Sequence, residues 1–411
     1  MTDAVPDRHD VIIVGAGVAG ARLLQHLLAC GWHTRRILVI ERDAGGHHDH
    51  ALAYWTGGRT DLDPLIEHRW TALRVVAPDG EAREYEVTDP QYVATRRARI
   101  TARVEGPNLR WLTGEVEEVV DGADEAAVRV GDRWLRAAWV FDARRGAPGP
   151  ATVRLVQRFT GWIVESVALR LDPGVATLFD FRTAQRGGVG FMYVLPLAPG
   201  RALLEHVFTG PVGAEPPASE ALLSIYLAEQ LGLAAGDFQV VGRERGRSLL
   251  SDARHPRRAG RRICNIGVRG GRLKASTGYA LTRIEADSAA IVRSLTKHGD
   301  PFHLPRERWL YRVLDAIFLW VLAREPGRVP AIYGALMRRP AAMLRFLDER
   351  PRLRELPGLL LALPTWVFLR ALWRWSWARR VAEPGPHELR PPAATGVAPR
   401  DATQSDGAER R

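Results

Sequence analysis

Residues 10–20 read DVIIVGAGVAG, and this stretch decides the fold. The apolar run at 10–14 predicts a buried parallel strand. The Gly-x-Gly-x-x-Gly spacing of Gly15, Gly17 and Gly20 then predicts a tight turn into a helix. In such a turn the second glycine lets the backbone approach a pyrophosphate, and the third lets the helix lie close to the strand. The amides at the helix N-terminus favour phosphate oxygens.

A second strand follows at the distance that dinucleotide binding requires. Residues 37–40 (ILVI) are apolar, and they lead into Glu41, which lies 21 residues after Gly20. A carboxylate about 20 residues beyond the glycines is the group that hydrogen-bonds a ribose hydroxyl. With strand, helix, second strand and acid in this order, the sequence predicts a dinucleotide site. The motif alone does not separate FAD from NAD.

Two later segments favour FAD, since many FAD proteins combine an early glycine fingerprint with a late strand, glycine turn and helix. Residues 140–144 (VFDAR) predict a strand that runs into a turn, and they contribute Asp142 to the predicted cofactor site. Residues 263–267 (ICNIG) predict another strand, and a helix is expected from about 280 to 295. The remaining predicted cofactor residues lie in or between these elements: Gly267, Gly270, Gly271, Thr277 and Gly278.

The middle of the chain resembles the flavoprotein-type lycopene cyclases in several segments that occur in the same order. These segments are QRFTGW at 157–162, FDFR at 179–182 followed by Gln185, FMYVLP at 191–196, LLE at 203–205, and GG, Lys274 and STGY between 270 and 279. The resemblance extends from about residue 10 to about residue 370. It implies a FAD-containing α/β protein.

The resemblance implies an acid-catalysed cyclisation without net redox change. A linear polyene end group is protonated, the neighbouring double bond attacks the cation to close a six-membered ring, and loss of a proton completes the product. The family uses FAD in its reduced form, and NADPH keeps it reduced. The acid/base role falls on Glu205, and the implied substrate is lycopene or a similar linear carotenoid. Cyclisation of one or both ends, and a β, ε or other ring, stay open.

The residues near Glu205 independently fit a hydrocarbon substrate. Seven aromatic residues lie between positions 159 and 208, and aromatic faces stabilise a carbocation. A strand predicted at 202–208 would bury the Glu205 carboxyl among apolar neighbours, which raises the pKa and keeps a proton available.

Asp180 and Arg182 complete the set of candidate catalytic residues. They are two positions apart, so they would share one side of a strand. Two interpretations stay open: the pair lines the boundary between flavin and substrate, or it is a structural ion pair.

The net charge is concentrated near the C-terminus. The chain has 58 Lys plus Arg and 47 Asp plus Glu, a formal charge of +11, and residues 306–380 hold 15 arginines and 6 acidic residues. The same stretch contains six of the thirteen tryptophans. Apolar residues at helical spacing there predict either core packing or a basic amphipathic surface with Trp at headgroup level. Because a lycopene-like substrate resides in the bilayer, we expect peripheral attachment to the cytoplasmic face of the membrane, not nucleic-acid binding.

Other classes of protein and site fit less well. Two cysteines, Cys30 and Cys264, cannot form a disulfide scaffold, which favours a reducing compartment. The uncharged run at 356–369 has 14 residues and two prolines, too short and too broken to span a bilayer. The HHDH sequence at 47–50 lies in a Gly-rich loop and is expected to be solvated, so no metal is predicted. Oligomeric state stays open.

The sequence therefore predicts an α/β fold: a FAD-binding Rossmann-type domain of the glutathione-reductase type, an inserted β-rich substrate domain and a helical C-terminal part. The predicted boundaries are FAD-binding parts at 1–60, 96–150 and 255–299, substrate-region strands at 61–95, a substrate domain at 151–254, a helical membrane-facing part at 300–381 and a disordered tail at 382–411. The preferred function is a lycopene β-cyclase-type isomerase. The alternatives are a FAD-dependent monooxygenase or reductase acting on another isoprenoid or lipid, and a non-enzymatic basic binding protein.

Overall fold

The computed structural model describes residues 7–43, 49–146, 149–185, 187–215, 217–307, 309–347 and 353–382. The predicted tail from residue 383 onward lies outside these ranges. The strands are β1 (Arg8–Val14), β2 (Ile37–Glu41), β3 (Ala51–Thr56), β4 (His68–Trp70), β5 (Ala72–Val76), β6 (Ala82–Glu86), β7 (Gln91–Arg96), β8 (Leu109–Thr113), β9 (Glu118–Val120), β10 (Ala126–Val130), β11 (Arg133–Asp142), β12 (Arg154–Glu165), β13 (Val175–Asp180), β14 (Val189–Ala198), β15 (Arg201–Pro211), β16 (Gln239–Ser251) and β17 (Ile263–Asn265).

The α-helices between and after these strands are α1 (Val18–Ala29), α2 (Arg97–Ile100), α3 (Ser219–Leu231), α4 (Leu281–His298), α5 (Trp309–Arg324), α6 (Val329–Leu336), α7 (Pro340–Leu347), α8 (Leu356–Ala362) and α9 (Thr365–Ala382). Short 3-10 helices lie at Trp32–Thr34, Asp63–Leu65, Pro326–Arg328 and Leu353–Glu355.

The first sheet has the strand order β8-β2-β1-β11-β10-β9, and β17 pairs with the C-terminal end of β11. Strands β8, β2, β1, β11 and β17 run parallel, so their carboxyl ends meet at one edge of the sheet. Helices α1 and α4 pack on one face through leucine, isoleucine and valine side chains. The strands predicted at 10–14, 37–40 and 263–267 and the helix predicted from 280 are confirmed as β1, β2, β17 and α4.

The second sheet has the order β16-β12-β15-β14-β13-β5-β6, and its neighbouring strands are antiparallel except β13 and β5. The strand predicted at 202–208 is confirmed as the central strand β15. Since side chains alternate between the two faces of a strand, each long strand here serves two environments. One face packs against α3, and the other faces the C-terminal helices and the small sheet β3-β7-β4.

The C-terminal helices are fixed to the rest of the molecule by buried polar contacts as well as by apolar packing. Nζ of Lys274 lies 2.9 Å from Oδ1 of Asp315 in α5, and the Ser276 hydroxyl donates to the same oxygen at 2.6 Å. At the other end, Nε1 of Trp375 in α9 donates to Asp252 at 2.8 Å. Within the ranges described above, none of the helices combines the length and hydropathy needed to cross a bilayer.

Candidate functional site

The turn after β1 has the geometry that the glycine fingerprint predicts. Gly15 has φ +95°, a conformation that L side chains avoid. A Cβ on Gly20 would lie 1.9 Å from the carbonyl oxygen of Gly15, so only glycine lets α1 start this close to the strand. At Gly17 the nearest atom to such a Cβ is Nη2 of Arg97, 4.0 Å away. The protein therefore leaves space beside Gly17, where a cofactor backbone would approach.

The groups around this space suit a dinucleotide. Glu41 ends β2, and its carboxylate accepts the amides of Ala16 at 2.5 Å and Arg42 at 3.0 Å, which holds it against the turn. Helix α1 has no side-chain cap among the described residues, so its N-terminal amides can receive an anion. The half-buried guanidinium of Arg97, whose pKa is lowered by burial, adds a cation that sequence reasoning missed.

The later cofactor segment meets the first turn through its own glycines. Gly267 has φ +60°, and a Cβ there would lie 2.6 Å from the Ala19 Cβ of α1. A Cβ on Gly270 would lie 2.4 Å from the carbonyl oxygen of Asn265. Gly271 also has a positive φ of +78°. Glycine at position 267 therefore lets the turn after β17 pack against the start of α1, and the glycines at 270 and 271 let the turn itself close.

At Thr277 and Gly278 this segment contacts the second sheet. A Cβ on Gly278 would lie 2.5 Å from Oε1 of Gln157 in β12. The Thr277 hydroxyl is buried and has no hydrogen-bond partner in the described part of the chain. An orphaned hydroxyl beside an open turn fits a polar group of a flavin cofactor. Together with the space at Gly17, it makes these residues suitable to hold FAD.

Asp142 lies at the same edge of the sheet but has protein partners. Its buried carboxylate accepts Nε of Arg144 at 3.0 Å and Nη2 of the same residue at 2.8 Å, and Nε of Arg269 lies 3.3 Å away. These ion pairs hold the turn after β11 against the segment that follows β17. The structure thus brings Asp142 to the carboxyl edge of the first sheet, with its charge already balanced by arginines.

A cavity of about 280 Å³ lies between the second sheet and the segment that begins α4. Alternate residues of the sheet form its floor: Phe159, Phe179, Val189, Phe191, Tyr193, Leu195, Leu203, Glu205, Val207 and Thr209. Its other walls come from β3, Tyr92 and residues 276–282, and from Leu322, Tyr333 and Leu347 of the C-terminal helices. Every major part of the fold contributes to this cavity.

Aromatic rings form most of one cavity wall. The ring of Phe179 lies 4.3 Å from that of Tyr333 and 5.0 Å from that of Phe191, centroid to centroid, and Phe191 lies 5.3 Å from Tyr193. The hydroxyls of Tyr193 and Tyr279 are 2.5 Å apart. Burial raises the pKa of Tyr279 to about 12 and that of Tyr193 well above its usual value, so these phenols stay neutral. The wall can therefore stabilise a cation through ring faces without adding a counterion.

Glu205 is the carboxyl group of this cavity. It is partly accessible because it faces the cavity, and protein surrounds its other sides. Burial, and then the neighbouring Glu244 carboxyl, raise the pKa of Glu205 well above its usual value. The raised pKa favours the protonated form of the side chain, which is the state that a general acid needs. The described residues that line the cavity contain one more titratable side chain besides Glu205 and the tyrosines, namely His50.

Asp180 and Arg182 lie elsewhere. The fully buried carboxylate of Asp180 accepts Nε of Arg182 at 3.0 Å and Nη2 at 2.5 Å, and the Tyr226 hydroxyl of α3 donates to it at 2.7 Å. Since Tyr226 packs on the face that α3 covers, this group is separated from the cavity by the sheet. The structure does not bring the pair to Glu205, and it favours the structural ion pair of the two interpretations.

The histidine-rich loop is only partly described, since His47 and His48 lie outside the described residues. Asp49 accepts Nε of Arg96 at 2.8 Å and the Ala98 amide at 2.9 Å, so it anchors the loop to α2. His50 lines the cavity instead of pointing to solvent, which differs from the expectation of a solvated loop.

Sequence reasoning also missed Gly161 and Glu244. Gly161 lies in the interior of β12, a position where glycine weakens a strand unless something approaches closely, and that is the signal that could have identified it. A Cβ there would lie 2.8 Å from Cγ of Glu205 and 3.0 Å from Cγ of Glu244. Glu244 is buried in β16, within a run of alternating charges that reads as an exposed strand.

Comparison with known proteins agrees with this geometry. The profile of the family described as "Lycopene cyclase protein" matches residues 10–373. The lycopene beta-cyclase of Pantoea ananas is 28% identical over 383 residues, which cover 85% of this chain and 94% of that protein.

Two solved structures show the same fold at low sequence identity. A geranylgeranyl bacteriochlorophyll reductase-like protein from Thermoplasma acidophilum has a TM-score of 0.56 and 13% identity, covering 90% of this chain and 99% of that one. A flavin-dependent brominase has a TM-score of 0.54 and 14% identity, covering 90% and 100%. The predicted fold class, a FAD-binding α/β fold with a β-rich substrate domain and C-terminal helices, is confirmed.

Proposed function

This chain belongs to the lycopene cyclase family, and from that premise we propose that it cyclises the linear ends of lycopene, or of a similar carotenoid, to β-ionone rings. The geometry that carries the proposal is a single carboxyl group, Glu205, set in an aromatic cavity, and its pKa is raised by burial and by the neighbouring Glu244. A hydrocarbon end group offers no hydrogen-bond handle, and such a cavity binds it by shape and dispersion alone. At about 280 Å³ the cavity lies at the small end of ligand sites, which suits one end group at a time.

The proposed reaction needs one proton to leave the protein and one to return. Glu205 donates its proton to the terminal double bond, so its O–H bond breaks and a C–H bond forms on the substrate. The ring faces of Phe179, Phe191 and Tyr193 stabilise the cation until the neighbouring double bond closes the ring. The Glu205 carboxylate then takes a proton from a carbon next to the new cationic centre. Substrate and product have the same mass, and no redox equivalent is consumed.

We propose FAD as the cofactor, held by the turn at Gly15, Gly17 and Gly20, by Glu41 and Arg97, and by the turn at Thr277 and Gly278. Following the family resemblance, bound FAD in its reduced form would supply an electron-rich ring near the cation, with NADPH as the reductant. Gly17→Ala tests this assignment, because it fills the space beside the turn without a clash inside the protein. We expect a folded protein with little bound flavin, measured by flavin absorbance after purification. Wild-type flavin content in that variant would contradict the assignment.

The function is tested by expressing the chain in bacteria that accumulate lycopene and by separating the pigments. We expect bicyclic or monocyclic products whose mass equals that of lycopene. A product heavier by one oxygen or altered by two hydrogens would instead support a monooxygenase or a reductase. Unchanged lycopene beside folded, flavin-loaded protein would overturn the proposal.

We further propose that α9 lies against an anionic bilayer, from which the substrate is drawn. Val367, Ala371 and Trp375 are buried on the inner side of this helix. The outer side exposes a second apolar stripe at helical spacing, made of Trp366, Leu369, Trp373 and Trp377, each more than half exposed. Arg374 lies beside the stripe and is exposed, so a lipid phosphate and headgroup-level Trp can be engaged together, while the neighbouring Arg370 is paired with Glu325.

Vesicle flotation tests this contact. The double variant Trp373→Ala with Trp377→Ala should lose most of its binding to phosphatidylglycerol-containing vesicles, while Trp134→Ala, an exposed tryptophan in β11, should not. Binding of the wild type should weaken with added salt, since the attraction of the arginines is screened. Equal binding of both variants would contradict the proposed surface.

A further inference from the structure

Four residues on neighbouring strands of the second sheet form a row that starts at the cavity floor and continues beyond it. Tyr193 in β14 pairs with Glu205 in β15, Glu205 pairs with Gly161 in β12, and Gly161 pairs with Glu244 in β16. Neighbouring strands lie about 4.8 Å apart, so the backbones of the two glutamates are separated by about 10 Å. Two side chains at that separation meet only if they lean towards each other over the residue between them.

Gly161 provides the space for this meeting. A Cβ at Gly161 would lie 2.8 Å from Cγ of Glu205, 3.2 Å from its Oε1 and 3.0 Å from Cγ of Glu244. Both glutamate side chains therefore cover the glycine from opposite sides. Any larger residue would push them apart. The glycine is required here for the space above it, since its backbone lies in a regular extended strand.

Glu244 is deeply buried and incompletely paired. Its side chain is only 4% exposed and lies outside the cavity lining, behind Glu205. Oε2 accepts the amide of Ala51 at 3.0 Å, at the first residue of β3. Oε1 of Glu244 accepts no hydrogen bond from any amide, hydroxyl or cation in the described part of the chain. The neighbouring carboxyl of Glu205, whose pKa is raised, is a group that can supply a hydrogen.

The described lining of the cavity offers Glu205 no compensating arginine or lysine. The titratable groups facing it are the phenols of Tyr92, Tyr193 and Tyr279 and the imidazole of His50, and neither arginine nor lysine lines the cavity among the described residues. Two carboxylates in one water-poor site repel each other strongly, so such a pair keeps a shared proton. A proton shared between the two groups would relieve that repulsion.

We propose that Glu244 is a positioning residue that holds and orients the proton of Glu205. Gly161, which has no side chain, leaves the space in which the two carboxyl groups meet. The proposal rests on the proposed cyclase function with Glu205 as the acid. After Glu205 gives its proton to the substrate, two carboxylates face each other over Gly161. Their repulsion drives Glu205 to take back a proton from the cyclic cation. One carboxyl group can in this way act as acid and then as base, with no other proton carrier.

Glu244→Gln is the decisive variant, because the amide keeps the size of the side chain and its oxygen still accepts the Ala51 amide. We expect a fall in kcat of about tenfold or more, with KM and flavin content retained. We also expect the alkaline limb of the activity–pH profile to move to lower pH, since Glu205 loses its anionic neighbour. A residue that only anchored β3 would leave that limb unchanged. Glu165→Gln is the matched control, because Glu165 is the last residue of β12 and pairs with Arg201.

Two further variants keep the test independent of one substitution. Gly161→Ala should lower kcat as Glu244→Gln does, because the added Cβ separates the carboxyl groups. In a double-mutant cycle, Glu244→Gln should add little to the loss caused by Glu205→Gln, as expected for residues that act as one unit. Fully multiplicative losses, or a Glu244→Gln enzyme with the wild-type rate and pH profile, would overturn the pair while leaving the cyclase function in place.

A spectroscopic measurement separates this inference from the proposed function. The infrared carbonyl band of a protonated carboxyl should vanish in Glu205→Gln and shift in frequency in Glu244→Gln, whether or not the protein cyclises lycopene. If the wild type is inactive on lycopene but shows these bands, the pair stands and the substrate assignment fails. A band that Glu244→Gln leaves in place would overturn the pair.

Discussion

Each face of the second sheet carries a carboxyl group, and the two groups have opposite kinds of partner. On the α3 face, Asp180 accepts a two-pronged ion pair from Arg182 and a hydrogen bond from Tyr226. On the cavity face, Glu205 meets a second carboxyl, Glu244, among aromatic residues and without an arginine or lysine in the described lining. The same sheet thus provides one compensated and one uncompensated acid.

The difference shows how to distinguish a carboxyl group that stabilises the fold from one that can transfer a proton. A buried carboxylate with a well-placed cation is held in its charged form and contributes to the fold. A buried carboxyl without a cation keeps its proton, which costs stability and makes the proton available for transfer. Both groups are carboxyls on strands of the same sheet, and their partners separate them.

The largest expected effect is on activity, at the uncompensated acid. Glu205→Gln removes the transferable proton but keeps size and hydrogen-bonding capacity, so we expect cyclisation to fall by about 10² to 10⁴-fold. Flavin content and melting temperature should stay near those of the wild type. Pigment chromatography of matched amounts of flavin-loaded protein measures this. A variant that keeps more than a tenth of the activity would remove Glu205 from the proposed reaction.

The next effect is on stability, at the compensated acid. Asp180→Asn leaves the Arg182 guanidinium without its negative partner. We expect a loss of about 2–3 kcal/mol in the free energy of unfolding. The rate per folded, flavin-loaded molecule should remain within about twofold of the wild type. Chemical denaturation and the pigment assay check the two expectations. A rate loss as large as that of Glu205→Gln would return Asp180 to the catalytic site.

The smallest effect is the dependence of stability on pH. Above about pH 4.5, the ordinary value for Glu, the unfolded chain releases a proton that Glu205 retains in the folded protein, because its folded pKa is raised. This group therefore makes stability fall as pH rises from there through the folded pKa, by at most about 1.4 kcal/mol per pH unit. Glu205→Gln should flatten that slope. Denaturation midpoints at several pH values test this, and equal slopes would contradict the raised pKa.

The cofactor half of the molecule was predictable because its requirements concern the backbone. A turn that must pass beside a dinucleotide needs glycine at fixed spacing, and the residues that meet this need, Gly15 to Gly20, are neighbours in sequence. The later segment at Gly267 to Gly278 follows the same rule. Arg97 escaped notice because its closeness to Gly17 arises from the packing of α2 against α1, where Gln25 hydrogen-bonds Ile100 across 75 positions of sequence, and no local pattern encodes that contact.

The substrate half was less predictable because its site is made of side chains from distant strands. Resemblance to the family pointed to Glu205, but the same resemblance added Asp180 and Arg182, which alternate to the opposite side of the sheet from the cavity. Glu244 reads as one charge among several in β16. Its role depends on the register that sets it opposite Gly161, and a shift of one residue would turn it to the other face.

The sequence by itself determined the glycine turn, several of the strands and helices, and the resemblance to the family, because each rests on short-range geometry or on motifs that remain contiguous. Only the tertiary structure decided which acid is paired with arginine and which with another acid. That distinction depends on the registers of β12, β15 and β16 and on the one glycine between two glutamates. The pKa of a buried carboxyl is set by the groups within a few ångströms, and folding alone brings those groups together.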